Sequence, residues 1–486
     1  MQLELSADVD ALAALPRLKA LVACRDGRSK TQLVKIVWHD NPDHALLADG
    51  LALAEQRAAW RLERLTPADE TWLPGQPVPV LDEAPDLATL PVPLTPLAAF
   101  EGRYTTTMHR FDDQMVTLVS GKGILRSVTA ERKVARIWLD GEEHAVRAAA
   151  LLIAQAVPIW IPRASLAGEA IALATGRPAV FRHSGAPVLP PGPEGLTDAL
   201  KHILGHLIDV ILAHASVAER MDAASPEAVH QMRVAVRRAR SALSIFRVAM
   251  PDGTLAAIGG SLRALGGQLG PTRDWDVFVD ETAPTIQLAV PDDERLRRLI
   301  AAAGRRRREY QKALAGYLSS PAFRSLGIEL AWFSAATFWH PPEASSDAGT
   351  NQPSALVAFA DDVLRQRWKK LVSSGKRIEE LDIPSLHGVR LRAKRTRYAA
   401  EMFTSLHRGK VAHRFIRRLS VLQQRLGVLN DGAVATHLLA ELGGPGGRHA
   451  YATGLVVGFL AARAAKMRPG IVRAFERFRR QPVYWV

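Results

Sequence analysis

A single cysteine, Cys24, is all the thiol chemistry this chain has. One thiol can form neither an internal disulfide nor a cysteine cluster for zinc, which fits a reducing compartment. Long hydrophobic runs are missing as well. The longest, Ala148 to Ile161, is interrupted by Gln155 and Pro158. It is shorter than the roughly 20 apolar residues a spanning helix needs, so no membrane span is expected. Behind Met1 stand Gln2, Glu4, Asp8 and Asp10 rather than a basic region and an apolar core, which is not how a secretory signal looks. Cytoplasmic residence is the expectation. Nucleophile elbow, P-loop and zinc signatures are lacking too, so no catalytic residue and no cofactor is assigned.

What is there resembles an ordinary globular protein of several domains: 486 residues, 48% apolar and 23% charged, a balance that excludes wholesale disorder. The charge is unevenly spread. Residues 1–190 hold 20 basic and 22 acidic side chains and residues 191–486 hold 43 and 27, so the whole positive excess, a net +16, belongs to the C-terminal part. Such a field attracts phosphate-rich polymers, acidic lipids or nucleic acid without choosing among them.

The Pro/Gly segment 185–195 coincides with the charge break and reads as a linker. Upstream, in 1–184, short alternating runs predict strands at Gln32 to Trp38, Trp60 to Leu65, Met115 to Val119, Ala135 to Leu139 and His144 to Val146, with a Pro-rich loop over Leu73 to Pro96. A β-rich α+β domain follows. Downstream, in 196–486, segments such as Leu296 to Leu318 and Ala355 to Val372 carry helical periodicity, with breaks at Pro251-Asp252-Gly253, at Pro341 to Pro353 and at Gly443 to Gly447. This part reads as all-helical.

The same stretch repeats itself at an offset of 157. His230 matches His387, Arg233 matches Arg390, Arg237 pairs with Lys394, Arg238 with Arg395, Arg240 with Arg397 and Phe246 with Phe403. Without a gap, Leu265, Leu269, Gly270, Asp274 and Val277 match Leu422, Leu426, Gly427, Asp431 and Val434. Two windows of 17 and 13 residues share 11 identities, where unrelated chains give roughly two at ordinary residue frequencies. The chain is internally duplicated, with half-repeats at about 196–340 and 354–486.

At 100° per residue, positions 0, +3, +7 and +10 of a helix fall within about 80°. His230, Arg233, Arg237 and Arg240 therefore form one stripe, and His387, Arg390, Lys394 and Arg397 form its copy. On a single helix a basic stripe is usually a solvated face. Two in register point to a groove between them. Guanidinium forks donate two hydrogen bonds to one oxyanion, Lys supplies a mobile charge and His gains charge near neutrality. Arg238, Arg395, Tyr398, Arg273 and, from the run Arg305 to Arg308, Arg308 complete the expected binding set. Asp274 and Asp431 are expected to be structural, capping a helix or pairing with a stripe arginine. His202 and His206 have metal-compatible spacing but no third ligand, so no metal site is assigned.

At these residues the chain resembles the CHAD family, helical domains known as polyphosphate-binding modules. Val229 to Arg238, Leu386 to Tyr398 and Leu422 to Asp431 look like its half-domain signatures, and the ending Arg479 to Trp485 is similar to the family's usual close. The resemblance covers about Leu196 onward. It implies two pseudo-twofold-related four-helix bundles around a basic groove, inorganic polyphosphate held by the cations named above, and residence on polyphosphate granules in the bacterial cytoplasm.

In that family a CYTH triphosphatase domain, an antiparallel β tunnel, often precedes the helical one, and residues 1–184 look like a degenerate version. Where the CYTH opening has Glu-x-Glu-x-Lys this chain has Gln2-Leu3-Glu4-Leu5-Ser6, keeping only Glu4. Val37 to Asn41 and Ala54 to Arg57 stand for two further motif strands. Triphosphate hydrolysis needs carboxylates for metal and several cations for phosphate, so the expectation is a non-enzymatic platform. A CYTH-type triphosphatase aided by a polyanion-binding domain is the alternative. Nucleic acid is a further alternative but a less favoured one, since the stripes carry almost no stacking aromatics apart from Tyr398.

Overall fold

The structure, a computed structural model, describes residues 1–65, 80–90, 93–162, 164–176, 186–189, 195–220, 225–249, 253–336, 339, 353–407 and 409–485. Most of the segment 185–195, parts of the Pro-rich stretch 73–96 and of the break at 251–253, and nearly all of the break at 341–353 lie outside the described residues. The chain forms two compact units. The first comprises Met1–His183, Ile208–Ser216 and Tyr317–His340, and the second Ser184–Leu207, Val217–Gly316 and Pro341–Val486.

Among the described residues of the first unit, nine strands build one antiparallel sheet: β1 (Gln2–Ala7), β2 (Arg25–Asp40), β3 (Leu51–Gln56), β4 (Ala59–Arg64), β5 (Val80–Asp82), β6 (Thr95–Phe111), β7 (Gln114–Ser127), β8 (Glu131–Gly141) and β9 (Ile159–Trp160). Their order is β5-β4-β3-β2-β6-β7-β8-β1-β9. Two-residue turns join β3 to β4 and β6 to β7. Arg57 and Ala58, and Asp112 and Asp113, take positive φ there, as the hairpin turns that match strand twist require.

Helices α1 (Lys19–Ala23), α2 (Ala45–Ala48), α3 (Glu143–Ala156) and α4 (Leu166–Thr175) accompany the sheet. The expected strand at His144 to Val146 is instead the first turn of α3, because the Glu142 carboxylate accepts from the His144 and Ala145 amides and caps a helix there. Leu166, Ala167, Ala170 and Ile171 of α4 pack on Trp38, Phe100 and Leu125 of the sheet. Also in this unit, α10 (Pro321–Ala335) lies on α3. Arg147 meets Glu329 at 2.7 Å and stacks over Trp332 at 4.5 Å, and Arg324 donates to the Ala154 carbonyl at 2.8 Å.

The remaining helices are α5 (Leu196–Arg220), α6 (Pro226–Ile245), α7 (Thr254–Val277), α8 (Ala283–Ala289), α9 (Glu294–Leu318), α11 (Pro353–Ser374), α12 (Ile383–Met402), α13 (Lys410–Ala440) and α14 (Ala450–Arg479). Adding 157 to the bounds of α6 gives those of α12 without remainder. The same shift carries α5 onto α11, α7 onto α13 and α9 onto α14 to within six residues at every end. The duplication is thus one of four-helix halves. Leu196–Ala218 is long and apolar enough to cross a membrane, but most of its most apolar stretch is buried within the protein, as a core helix would be.

Candidate functional site

The two stripe helices begin alike. Pro226 sits in the first turn of α6 and Pro384 in that of α12, where a missing amide costs nothing. Both helices end on a buried phenylalanine, Phe246 and Phe403, whose rings lie 5.9 Å apart. Val229, Met232 and Val236 on α6, and Leu386, Val389 and Ala393 on α12, are buried. Core packing therefore fixes the rotation of each helix and with it the direction of the stripe.

Between them lies a cleft of about 1070 Å³. Of the predicted residues, Arg237, Arg240, Lys394, Arg395 and Tyr398 line it. Sequence reasoning missed Arg247, Arg263, Arg367, Lys370 and Arg392, which line it too. Nine arginines and lysines face this space, and no carboxylate is among its lining residues.

Deeper along the stripes, charges from both halves act on one another. Lys394 is half-buried and its ammonium is pushed down to about 7, first by burial and then by Arg390, Arg237 and Arg233. Arg390 is lowered by burial and by Arg237, against the pull of Asp431. His230 is held below its usual value by burial and by Arg273. On the cleft wall Arg367 is pushed down to about 10 by burial and by Arg395, whose carbonyl it also bonds at 2.7 Å. In each case burial disfavours the charged form first and neighbouring cations add to it, so a bound oxyanion would favour the charged form again.

The matched aspartates sit beside matched arginines. Asp274 on α7 contacts Arg233 at 2.9 Å, and Arg233 also donates to the Gly270 carbonyl at 2.6 Å. Asp431 on α13 acts on Arg390, while its own carboxyl is raised by burial.

Other predicted residues are engaged elsewhere. Arg238 is buried and meets Glu401 at 2.8 Å, and Arg397 meets the same carboxylate at 2.6 Å, so Glu401 ties α6 to α12. Arg273 pairs with Glu281 at 3.2 Å. His387 and Arg308 are exposed, and neither lines the cleft. From the run Arg305 to Arg308, Arg306 pairs with Glu441 and Arg307 with the buried Asp276 and with Asp280. His202 bonds the Val188 carbonyl through Nε2 at 2.8 Å, and among the described residues no group of three or more His, Cys, Asp or Glu is placed to hold a metal ion.

In the first unit, Glu4 is buried and bound by Arg136 at 3.1 Å. Arg136 also reaches Ser6 at 2.6 Å and Glu169 of α4 at 2.6 Å. Tyr104 on β6 feels Glu4 and Arg136 from one side of the strand order and Glu63 and Arg61 from the other. The sheet therefore curls around a charged interior, as the tunnel resemblance implies. Burial raises the Glu4 and Glu63 carboxyls despite their arginine partners.

The family model described as CHAD domain matches residues 202–440. Among solved structures the chain is similar to the CHAD domain from the plant Ricinus communis, with 28% identity and a TM-score of 0.52, over 62% of this chain and 99% of that one. It is also similar to PptA from Streptomyces chartreusis, with 18% identity and a TM-score of 0.44, over 58% of this chain and 99% of that one. No curated protein matches it.

Proposed function

Because residues 202–440 match the CHAD domain model, we propose that the cleft between α6 and α12 binds inorganic polyphosphate. One observation carries this: cations from both half-repeats converge on a single open space whose lining includes no carboxylate. An uncompensated field of that kind demands a ligand with many closely spaced negative charges. Polyphosphate supplies them without bases or a preferred direction, and it suits a site built from two related halves.

Arg237, Arg240, Lys394 and Arg395 are the direct contacts in this reading, joined by the unduplicated Arg263, Arg367 and Lys370. Arg233 and Arg390 do not line the cleft but add to the positive field on Lys394, and Arg273 does the same for His230. Arg238 and Arg397 hold the two helices together through Glu401. Tyr398 offers one hydroxyl and too little aromatic surface for base stacking. The protein would travel with polyphosphate and gather where the polymer gathers, in granules.

We also read the β-rich unit as non-enzymatic. Arg136, a cation a triphosphate would need, is already neutralised by Glu4 and by Glu169 of the helix that packs on the sheet. The test is pull-down of the full chain by immobilised long-chain polyphosphate, against the variant Arg237→Glu with Lys394→Glu. Markedly weaker retention of the variant than of the wild type is the expected result, with single-stranded DNA at equal phosphate a poor competitor. Equal retention of both proteins would remove the site.

A further inference from the structure

A second basic cluster lies on α9 and on the residues just before α14, none of which lines the cleft. Arg295, Arg298 and Arg305 stand at offsets 0, +3 and +10 along α9, the spacing of the stripe residues, and so share one face. Packing of the neighbouring face of α9 on α14 holds the arginine face beside the start of α14. Leu296, Leu299 and Ala303 on α9 are buried with Ala452, Val456 and Leu460 on α14. The rim of this seam is a cleft of about 390 Å³ lined by the three arginines, Arg448, His449 and Tyr451.

Surface arginines are ordinarily answered by a carboxylate nearby, and on α9 Glu294 takes Arg298 and Glu309 takes Arg306. Arg295, Arg305 and Arg448 make no ion pair with a carboxylate among the described residues. Two of the three, Arg295 and Arg448, are placed by neutral partners instead. The Arg295 guanidinium lies over the Tyr451 ring at 4.5 Å, and Arg448 donates through Nε to Nε2 of His449 at 3.1 Å. Burial, Arg448 and Arg305 all disfavour a proton on His449. Orientation without neutralisation is what an oxyanion site requires.

We propose that Arg295, Arg305 and Arg448 with His449 form a second anion site, separate from the α6 and α12 cleft, that takes a short segment of phosphate chain. A phosphate chain fits better than nucleic acid because the one exposed ring, Tyr451, already has Arg295 over it, and single-strand binders stack successive bases on several rings. Two such sites on one chain let a long polymer engage twice, or let one protein join two polymers.

Calorimetric titration of the full chain with tripolyphosphate tests this, using Arg237→Glu with Lys394→Glu, Arg305→Glu with Arg448→Glu, and all four together. The cleft variant is expected to keep a weaker isotherm, and adding Arg305→Glu and Arg448→Glu is expected to weaken that residual binding by about tenfold or more. If the residual isotherm survives all four changes, or if a single-stranded DNA oligonucleotide binds it more tightly at equal phosphate, the proposal is overturned. Arg305→Gln with Arg448→Gln guards against misfolding caused by charge reversal. Should the cleft variant titrate like the wild type while Arg305→Glu with Arg448→Glu loses one class of site, the cleft assignment fails and this one stands.

Discussion

Phe246 and Phe403 occupy equivalent positions 157 residues apart, and their rings touch, with centroids 5.9 Å apart. A residue can contact its own symmetry mate only at the axis relating the two copies. These rings therefore mark the pseudo-twofold axis of the helical unit, with Phe359 packed against both at 5.3 and 6.3 Å. The stripes of α6 and α12 run toward that point, so the charged cleft is built around the axis.

Because both rings are fully buried, Phe246→Ala and Phe403→Ala should each cost about 3–5 kcal/mol. The double variant should cost less than the sum, since each ring packs against the other. Urea unfolding of the four proteins measures the coupling. Strict additivity would mean that the rings do not depend on each other.

Glu401 links Arg238 to Arg397, and removing its charge leaves the buried Arg238 without that partner. Glu401→Gln should destabilise the protein by about 2–4 kcal/mol. It should also weaken polyphosphate binding, by loosening α6 from α12. A melting temperature equal to the wild type would show that the link is not structural.

Much of the helical architecture was legible in the sequence because duplication leaves matched residues in register. The offset of 157 that pairs His230 with His387 also pairs four helices. The cations it could not reveal are the unduplicated ones. Adding 157 to Arg247 or Arg263 gives Thr404 or Ser420, and subtracting it from Arg367, Lys370 or Arg392 gives Val210, Ala213 or Ala235. Arg238 is duplicated as Arg395, yet at +8 it sits about 80° to the other side of His230 from the stripe, where it meets Glu401. In the first unit β6 escaped notice because Pro96 and the threonines Thr105, Thr106 and Thr107 break its apolar alternation. Packing of α10 on α3 joins residues 182 apart in sequence, Arg147 and Glu329, and no local pattern encodes that.

Lys394 makes binding depend on pH. In the free protein it titrates at about 7, and a bound phosphate chain would move it back toward the ordinary lysine value. Binding at pH above about 7 therefore takes up a proton, so affinity should fall as pH rises from about 7 to about 9, by up to tenfold per pH unit. Below that window the lysine is already charged and contributes fully. His230, lowered by burial and Arg273, adds a further rise in affinity on acidification below its ordinary value. Titration calorimetry in buffers of different ionisation enthalpy reads the proton count directly, and Lys394→Arg should abolish the alkaline dependence.

Glu4 anchors Arg136 inside the curled sheet. Glu4→Ala leaves that guanidinium with Glu169, Ser6 and the Ala135 carbonyl, and should cost about 2–4 kcal/mol. Wild-type protein should release no orthophosphate from tripolyphosphate with magnesium or manganese. Turnover that Glu4→Ala abolishes would establish the β-rich unit as a triphosphatase.

The central claim is that cations from both halves hold one polyphosphate chain in the cleft between α6 and α12. Its most direct measurement is the affinity of the full chain for long-chain polyphosphate, with Arg237→Glu, Lys394→Glu and the pair compared as a cycle. Each single reversal should weaken binding by about tenfold or more, with a double loss that departs from the sum because both residues contact the same ligand. Wild-type affinity in the double variant would contradict the account.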